Sequence, residues 1–252
     1  MRSLPPTRLA TINGQRLAYT LSGKGQPSIV LINGSGGPLL GWYKLYPGIE
    51  ELGTVIAYDR PGVGSSPRAA LPQTGRRVVE QLRALLNTTN LQPPYVLVGH
   101  SFGGLFANLF ARMHSDEIAG VVFVEATAPD DIGSMKRHTT KVQRALASFL
   151  SALSNPDPNG EIEHEKETVE DIRVAPPFPP VPVITLSGAK TPPRWMMSPQ
   201  ALAQRAQNQA TLAQTSPRGE QMLARRSGHF PQLSEPALVL AAIRKIVEHV
   251  RA

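Results

Sequence analysis

Along this chain, short runs that are apolar at nearly every position recur between longer stretches whose apolar residues return every three or four positions. The short runs fall at 28–32, 54–58, 95–98, 120–124 and 182–186. Apolar on both faces, they are expected to be strands of a parallel sheet covered by helices on both sides. Ahead of them, 9–12 and 16–21 flank Asn13-Gly14, a pair that accepts the positive φ angles of a two-residue turn, so a hairpin is predicted there. Helices are predicted over 75–90, 102–114 and 198–215. A last one over 236–250 opens with a proline near its first position and keeps Leu238, Leu240, Ile243, Ile246 and Val247 apolar. Strand and helix in alternation argue for an α/β, doubly wound architecture.

One region breaks the rhythm. From about 127 to 180 no strand pattern occurs. A helix is predicted over 135–153, then an Asn-Pro-Asp-Pro-Asn-Gly break, a charged helical stretch over 161–174 and a proline-rich return over 176–180. An insertion of this size on one side of a sheet is expected to be a lid over a site, the alternative being surface decoration. The whole, 1–252, is read as one domain carrying that insertion.

Composition narrows the picture. Apolar residues make up 41% of the chain, enough for a true core. Cysteine is absent, which excludes disulfides and thiolate metal sites and suits a reducing compartment. No secretory leader pattern and no membrane-length apolar run occurs, so a cytoplasmic protein with no integral membrane association is expected. The net charge is +7, but lysines and arginines are scattered as singles or pairs without interleaved aromatics. Residues 130–171 hold nine acidic against five basic side chains. A basic body with an acidic insertion follows, and no nucleic-acid partner.

The chemistry gathers where the run at 95–98 turns into the helix over 102–114, at Gly99-His100-Ser101-Phe102-Gly103. A serine at so tight a strand-to-helix corner must adopt a strained backbone, and flanking glycines relieve collisions with the neighbouring strand and helix. The hydroxyl is thereby lifted above the sheet edge, with the next amide free to donate at a helix start. Such a serine needs a base late in the chain. Among six histidines, His229 follows a glycine in the loop before the last helix and fits that place.

These features together resemble the α/β-hydrolase family. The matching segments are Asn33-Gly-Ser-Gly-Gly-Pro38, Tyr58-Asp-Arg-Pro-Gly-Val-Gly-Ser-Ser66, the elbow from Gly99 to Gly103, and Gly228-His229. The resemblance implies the α/β-hydrolase fold, an eight-stranded, mostly parallel sheet with helices on both faces and a short helical cap inserted after strand six. It also implies a serine hydrolase, esterase-like, with a catalytic triad of Ser101, His229 and an acid. In most of the family the acid follows strand seven, yet no Asp or Glu lies between Asp171 and Glu220. A minority resembles another placement, at the end of strand six, where Glu125 stands. Asp130 and Asp131 are weaker candidates, and Asp59 is expected to tie down its own turn.

The oxyanion hole is expected from the amide of Phe102 and from Ser35, with Gly36 its neighbouring alternative. Trp42, Phe102, Trp195 and Met196 are candidates for an apolar substrate-binding wall, each equally suited to the core. The expected substrate is a small ester-like molecule, and neither metal nor organic cofactor is needed. Aspartate-based dehalogenases and epoxide hydrolases resemble the same fold but lack a nucleophilic serine. The alternatives are lactone, amide, thioester or carbon–carbon cleavage, cofactor-free peroxide chemistry, or a non-catalytic receptor for a small ligand.

Overall fold

Residues 4–132, 160–193 and 197–251 are described by the computed structural model. The hairpin forms as β1 (Arg8–Ile12) and β2 (Gln15–Ser22), with Asn13 at φ 48° and Gly14 at φ 82° in the turn. Then follow β3 (Ser28–Ile32), β4 (Thr54–Asp59), β5 (Tyr95–His100), β6 (Ile118–Val124), β7 (Val183–Gly188) and β8 (Gly219–Ala224). They make one eight-stranded sheet in the order β1-β2-β4-β3-β5-β6-β7-β8. The pairs β1–β2 and β2–β4 are antiparallel and all the others parallel.

Helices cover both faces. They are α1 (Gly75–Thr88), α2 (Gly103–Met113), α3 (Glu165–Val174), α4 (Pro199–Ala213) and α5 (Pro236–Arg251), with shorter turns at Leu39–Trp42, Tyr46–Ile49 and Pro231–Ser234. The period-two geometry of a strand divides β5 between two cores. Tyr95 and Leu97 pack with Leu82 of α1 and Phe106 and Phe110 of α2. Val96 and Val98 pack on the other face with Val239, Ile243 and Val247 of α5. Side-chain caps fix two helix starts: the Thr74 hydroxyl accepts from Arg77 N, and the Ser198 hydroxyl from Ala201 N.

The strand order matters most for function. After β3 the chain moves to β4 on one side, then returns to place β5 on the other side of β3. The loops leaving β3 and β5 therefore diverge from neighbouring strand ends, the crevice where open α/β sheets bind ligands. Register then aligns the chemistry. Ile32 pairs with Gly99, and His100 with Val124, so Asn33, Ser101 and Glu125 leave the same edge side by side.

The described part of the insertion docks on the body. Val169 and Ile172 of α3 and Phe178 of the proline-rich return join the core built on α1 and α2. The helix predicted over 135–153 lies outside the described residues.

Candidate active site

Ser101 occupies the left-handed region, φ 51°, directly after β5. For a non-glycine residue that conformation costs about 1–3 kcal/mol and persists only where neighbours enforce it. Here they do. Ser101 N–H donates to Val124 O at 3.2 Å, and its carbonyl accepts from Gly104 N at 2.9 Å and Thr127 N at 2.8 Å. A Cβ on Gly103 would lie 2.4 Å from the carbonyl oxygens of both Ile32 and Asn33. Only glycine lets helix α2 start this close to the end of β3.

The loop after β8 delivers His229. Its Nε2 stands 2.9 Å from Ser101 Oγ, and its Nδ1 stands 3.4 Å from Glu125 Oε2. With Nδ1–H donating to the carboxylate, Nε2 presents a lone pair to the serine hydroxyl. His100 supports this placement from below: its Nε2–H donates to the His229 carbonyl at 2.8 Å. Burial pushes the His100 ring down to about 4, only partly offset by that hydrogen bond, and the neighbouring His229 lowers it further. The elbow histidine is thus a neutral strut.

Glu125 directly follows β6 with φ 46°, a second left-handed non-glycine residue beside the first. Burial drives its carboxyl upward, but hydrogen bonding to His229, the charge and hydrogen bond of Arg205, and the Gly188 amide outweigh that and hold it down to about 2. Gly188 N donates to Oε1 at 2.6 Å, and Arg205 Nη2 donates to Oε2 at 2.9 Å and to the backbone carbonyl at 3.2 Å. The end of β7, whose following loop lacks an acid, supplies the amide of Gly188 to Glu125.

Asp131 buttresses this support. It accepts from Asn208 Nδ2 at 2.7 Å, from Ala128 N at 2.8 Å and from Arg205 Nη1 at 3.3 Å. Asp130 is exposed. Asp59, as expected, ties its own turn, accepting from Ser65 N at 2.9 Å, and it also takes Leu39 N at 2.6 Å.

Beside the serine lies a cavity of about 830 Å³ whose wall includes Phe102, Ile132, Ile162, Met197, Leu202 and Phe230. Of the candidates for the apolar wall, Phe102 lines it, and Trp195 and Met196 lie outside the described residues. Trp42 does not line it. The ring is fully buried, packed in the α5-side core with its edge against His100, centroids 6.4 Å apart. An apolar ring on the segment leaving β3 gains more by filling that core than by facing the cavity.

The loop after β3 lies against Ser101. A Cβ on Gly34 would sit 2.9 Å from Ser101 Cβ and 3.3 Å from Oγ. Ser35 follows immediately, and Asn33 closes the loop by donating from Nδ2 to Pro38 O at 2.6 Å. Sequence reasoning missed Arg205, a lone cation inside a predicted helix that carries no local signal. Among the described residues, no group of three or more His, Asp and Glu side chains is arranged to hold a metal ion. Nor is any described helix long and apolar enough to cross a membrane.

Residues 27–177 match the family model described as alpha/beta hydrolase fold. Among curated relatives, an uncharacterised protein of Schizosaccharomyces pombe, C23C11.06c, is 40% identical over 99 residues, 39% of this chain and 18% of its own. A haloalkane dehalogenase of Mycolicibacterium smegmatis is 30% identical over 140 residues, 50% of this chain and 44% of the relative. The chain thus spans less than half the length of these two relatives. A thermophilic esterase structure from Thermogutta terrifontis superposes with a TM-score of 0.71 at 21% identity, covering 98% of this chain and all of that one, a likeness of fold.

Proposed function

We propose that this chain, which belongs to the α/β-hydrolase fold family, is a serine hydrolase cleaving a carboxylic ester or related acyl bond of a small molecule. The observation that carries the reading is the unbroken line from hydroxyl to imidazole to carboxylate, 2.9 Å and then 3.4 Å. His229 Nε2 takes the Ser101 proton as Oγ attacks the substrate carbonyl. The tetrahedral oxyanion is received by the amides of Phe102 and Ser35. His229 then gives the proton to the departing alkoxide, leaving an acyl group on Ser101. Water, deprotonated by the same nitrogen, attacks the acyl carbon, and collapse returns Ser101 and releases the carboxylic acid. Glu125, ionised well below neutral pH, orients the ring and stabilises the imidazolium formed in both halves.

The reading treats the chain as one cytoplasmic domain with residues 127–180 as its cap; Ile132 and Ile162, from the two described ends of that insertion, both contribute to the cavity wall. Its apolar surface suits a hydrophobic acyl or alcohol group. The dehalogenase relative has its likeness in sequence, but a hydroxyl at the elbow favours acyl transfer. No cofactor enters this sequence of steps.

Ser101→Ala tests it. Turnover of short p-nitrophenyl esters should fall about 10⁴-fold or more, with the circular dichroism spectrum retained. A fluorophosphonate probe should label the wild type at Ser101. Full ester turnover in the alanine variant would place the chemistry elsewhere, and an unlabelled wild type would favour a receptor.

A further inference from the structure

The most deeply buried ion pair among the described residues joins the body to the insertion. Arg60, directly after β4, is 2% exposed, and Glu161, on the return of the insertion, is fully buried. The pairing is two-pronged: Arg60 Nε donates to Glu161 Oε1, and Nη2 donates to Oε2 at 2.9 Å. Removing two charges from water costs several kcal/mol per ion and is offset only when the remaining donors are also satisfied. Two further hydrogen bonds of Arg60 go to one loop. Nη1 donates to Asn33 O at 2.8 Å and Nη2 to Gly34 O at 2.7 Å, while the guanidinium carbon stands 5.2 Å from the centre of the Phe106 ring.

Those two carbonyls belong to the loop that touches Ser101. In a trans peptide unit the carbonyl and the following N–H point in opposite directions. Fastening Gly34 C=O to the buried guanidinium therefore turns Ser35 N–H to the other side of the loop. Fastening Asn33 C=O does the same for Gly34 N–H. The adjacent Asp59 holds the far end of the loop through Leu39 N, so one dipeptide at the end of β4 grips both ends.

We infer that Arg60, clamped by Glu161, is a positioning residue that aims the amides of the loop after β3 at the developing oxyanion, and so ties transition-state binding to the seating of the insertion. This rests on the Ser101 acyl-transfer reading. The aim is directional: lysine at position 60 retains the charge but has no fork with which to hold two carbonyls and a carboxylate together.

The test compares an ester with its thionoester, in which sulfur replaces the carbonyl oxygen. Sulfur is a larger, weaker acceptor, so amides aimed at an oxyanion favour the oxygen substrate, and a loose hole loses that preference. In Arg60→Lys and Glu161→Gln, kcat for p-nitrophenyl butyrate should fall about tenfold or more with KM changed far less. The oxygen-to-sulfur rate ratio should collapse with it. Asp171→Asn, which breaks the separate Arg76–Asp171 tie between insertion and body at 2.7 Å, is the control and should leave the ratio unchanged. A general loosening of the fold lowers both rates together and leaves the ratio where it was. If Arg60→Lys does not fold, Glu161→Gln decides the matter. A wild-type ratio in a folded Arg60→Lys or Glu161→Gln protein, or an equal fall in Asp171→Asn, overturns the inference. A Ser101→Ala enzyme that retained full activity would instead bring down the acyl-transfer reading itself.

Discussion

Glu125 accepts at both oxygens: Gly188 N at Oε1, Arg205 Nη2 and His229 Nδ1 at Oε2. The arginine bond is the shorter of the two on Oε2, so the carboxylate is fixed independently of the histidine and the histidine must align to it. Glu125→Gln keeps the shape but offers an amide where the imidazolium needs a negative charge. By analogy with triad carboxamide variants, kcat should fall about 10³–10⁴-fold, measured by steady-state ester hydrolysis. Asp130→Asn should change the rate less than about twofold, as surface substitutions do. The reverse ranking would mean that the acid has been misassigned. The candidate positions Ser101 and Glu125 were legible because each directly follows a strongly patterned strand, and His229 only because chain order limited the choices. Arg60 and Arg205 were not, since a lone cation in a turn or helix reads as solvated until its partners, 101 and 80 residues away in sequence, are placed. Trp42 illustrates the converse, because an apolar ring in an apolar segment does not reveal which side it faces.

Whole elements were legible in proportion to their burial. The runs predicted at 28–32, 54–58, 95–98, 120–124 and 182–186 all became strands buried on both faces, where apolar content is obligatory. Strand β8, Gly-Glu-Gln-Met-Leu-Ala, carried no such signal. It is an edge strand paired only to β7 and largely half-exposed, so polar residues are tolerated along it and only the family resemblance implied an eighth strand. The charged helix predicted over 161–174 begins four residues later, at Glu165, because Glu161 turns inward to meet Arg60. The elbow itself yields a prediction at this scale. Gly103→Ala places a Cβ 2.4 Å from two backbone oxygens that cannot yield separately, whereas a Cβ on Gly228 meets nothing within 4 Å. Urea denaturation should therefore show Gly103→Ala destabilised by more than about 2 kcal/mol, and Gly228→Ala by less than about 0.5 kcal/mol. Similar losses at both positions would refute the account of why helix α2 can start where it does.

Across the whole molecule, the loops leaving β3, β5, β6 and β8 meet at one sheet edge over a shared floor. Its two perturbed groups act in adjoining pH windows. His100, ordinarily near 6.5, is held down to about 4 by burial. Between those values the unfolded chain binds a proton that the folded protein refuses, so the unfolded state gains as pH falls. The contribution of His100 to stability is complete above pH 6.5 and declines below it by about 1.4 kcal/mol per pH unit until about pH 4. Glu125, ordinarily 4.5, is also depressed, to about 2, and its contribution is present above 4.5 and lost on the way down to about 2. The upper window belongs to the strut under His229 and the lower one to the Glu125 carboxylate, so acid should loosen the floor of the site before it protonates Glu125. His100→Gln separates the two. Glutamine retains a donor for the His229 carbonyl but has no proton to take up, so the slope of unfolding free energy between pH 6.5 and 4 should fall by that one proton while the loss below pH 4.5 from Glu125 remains. Denaturant titrations at half-unit intervals would resolve the difference, and superimposable slopes for the variant and the parent between pH 5 and 6.5 would show that His100 is not the group whose burial sets the acid limit of this fold.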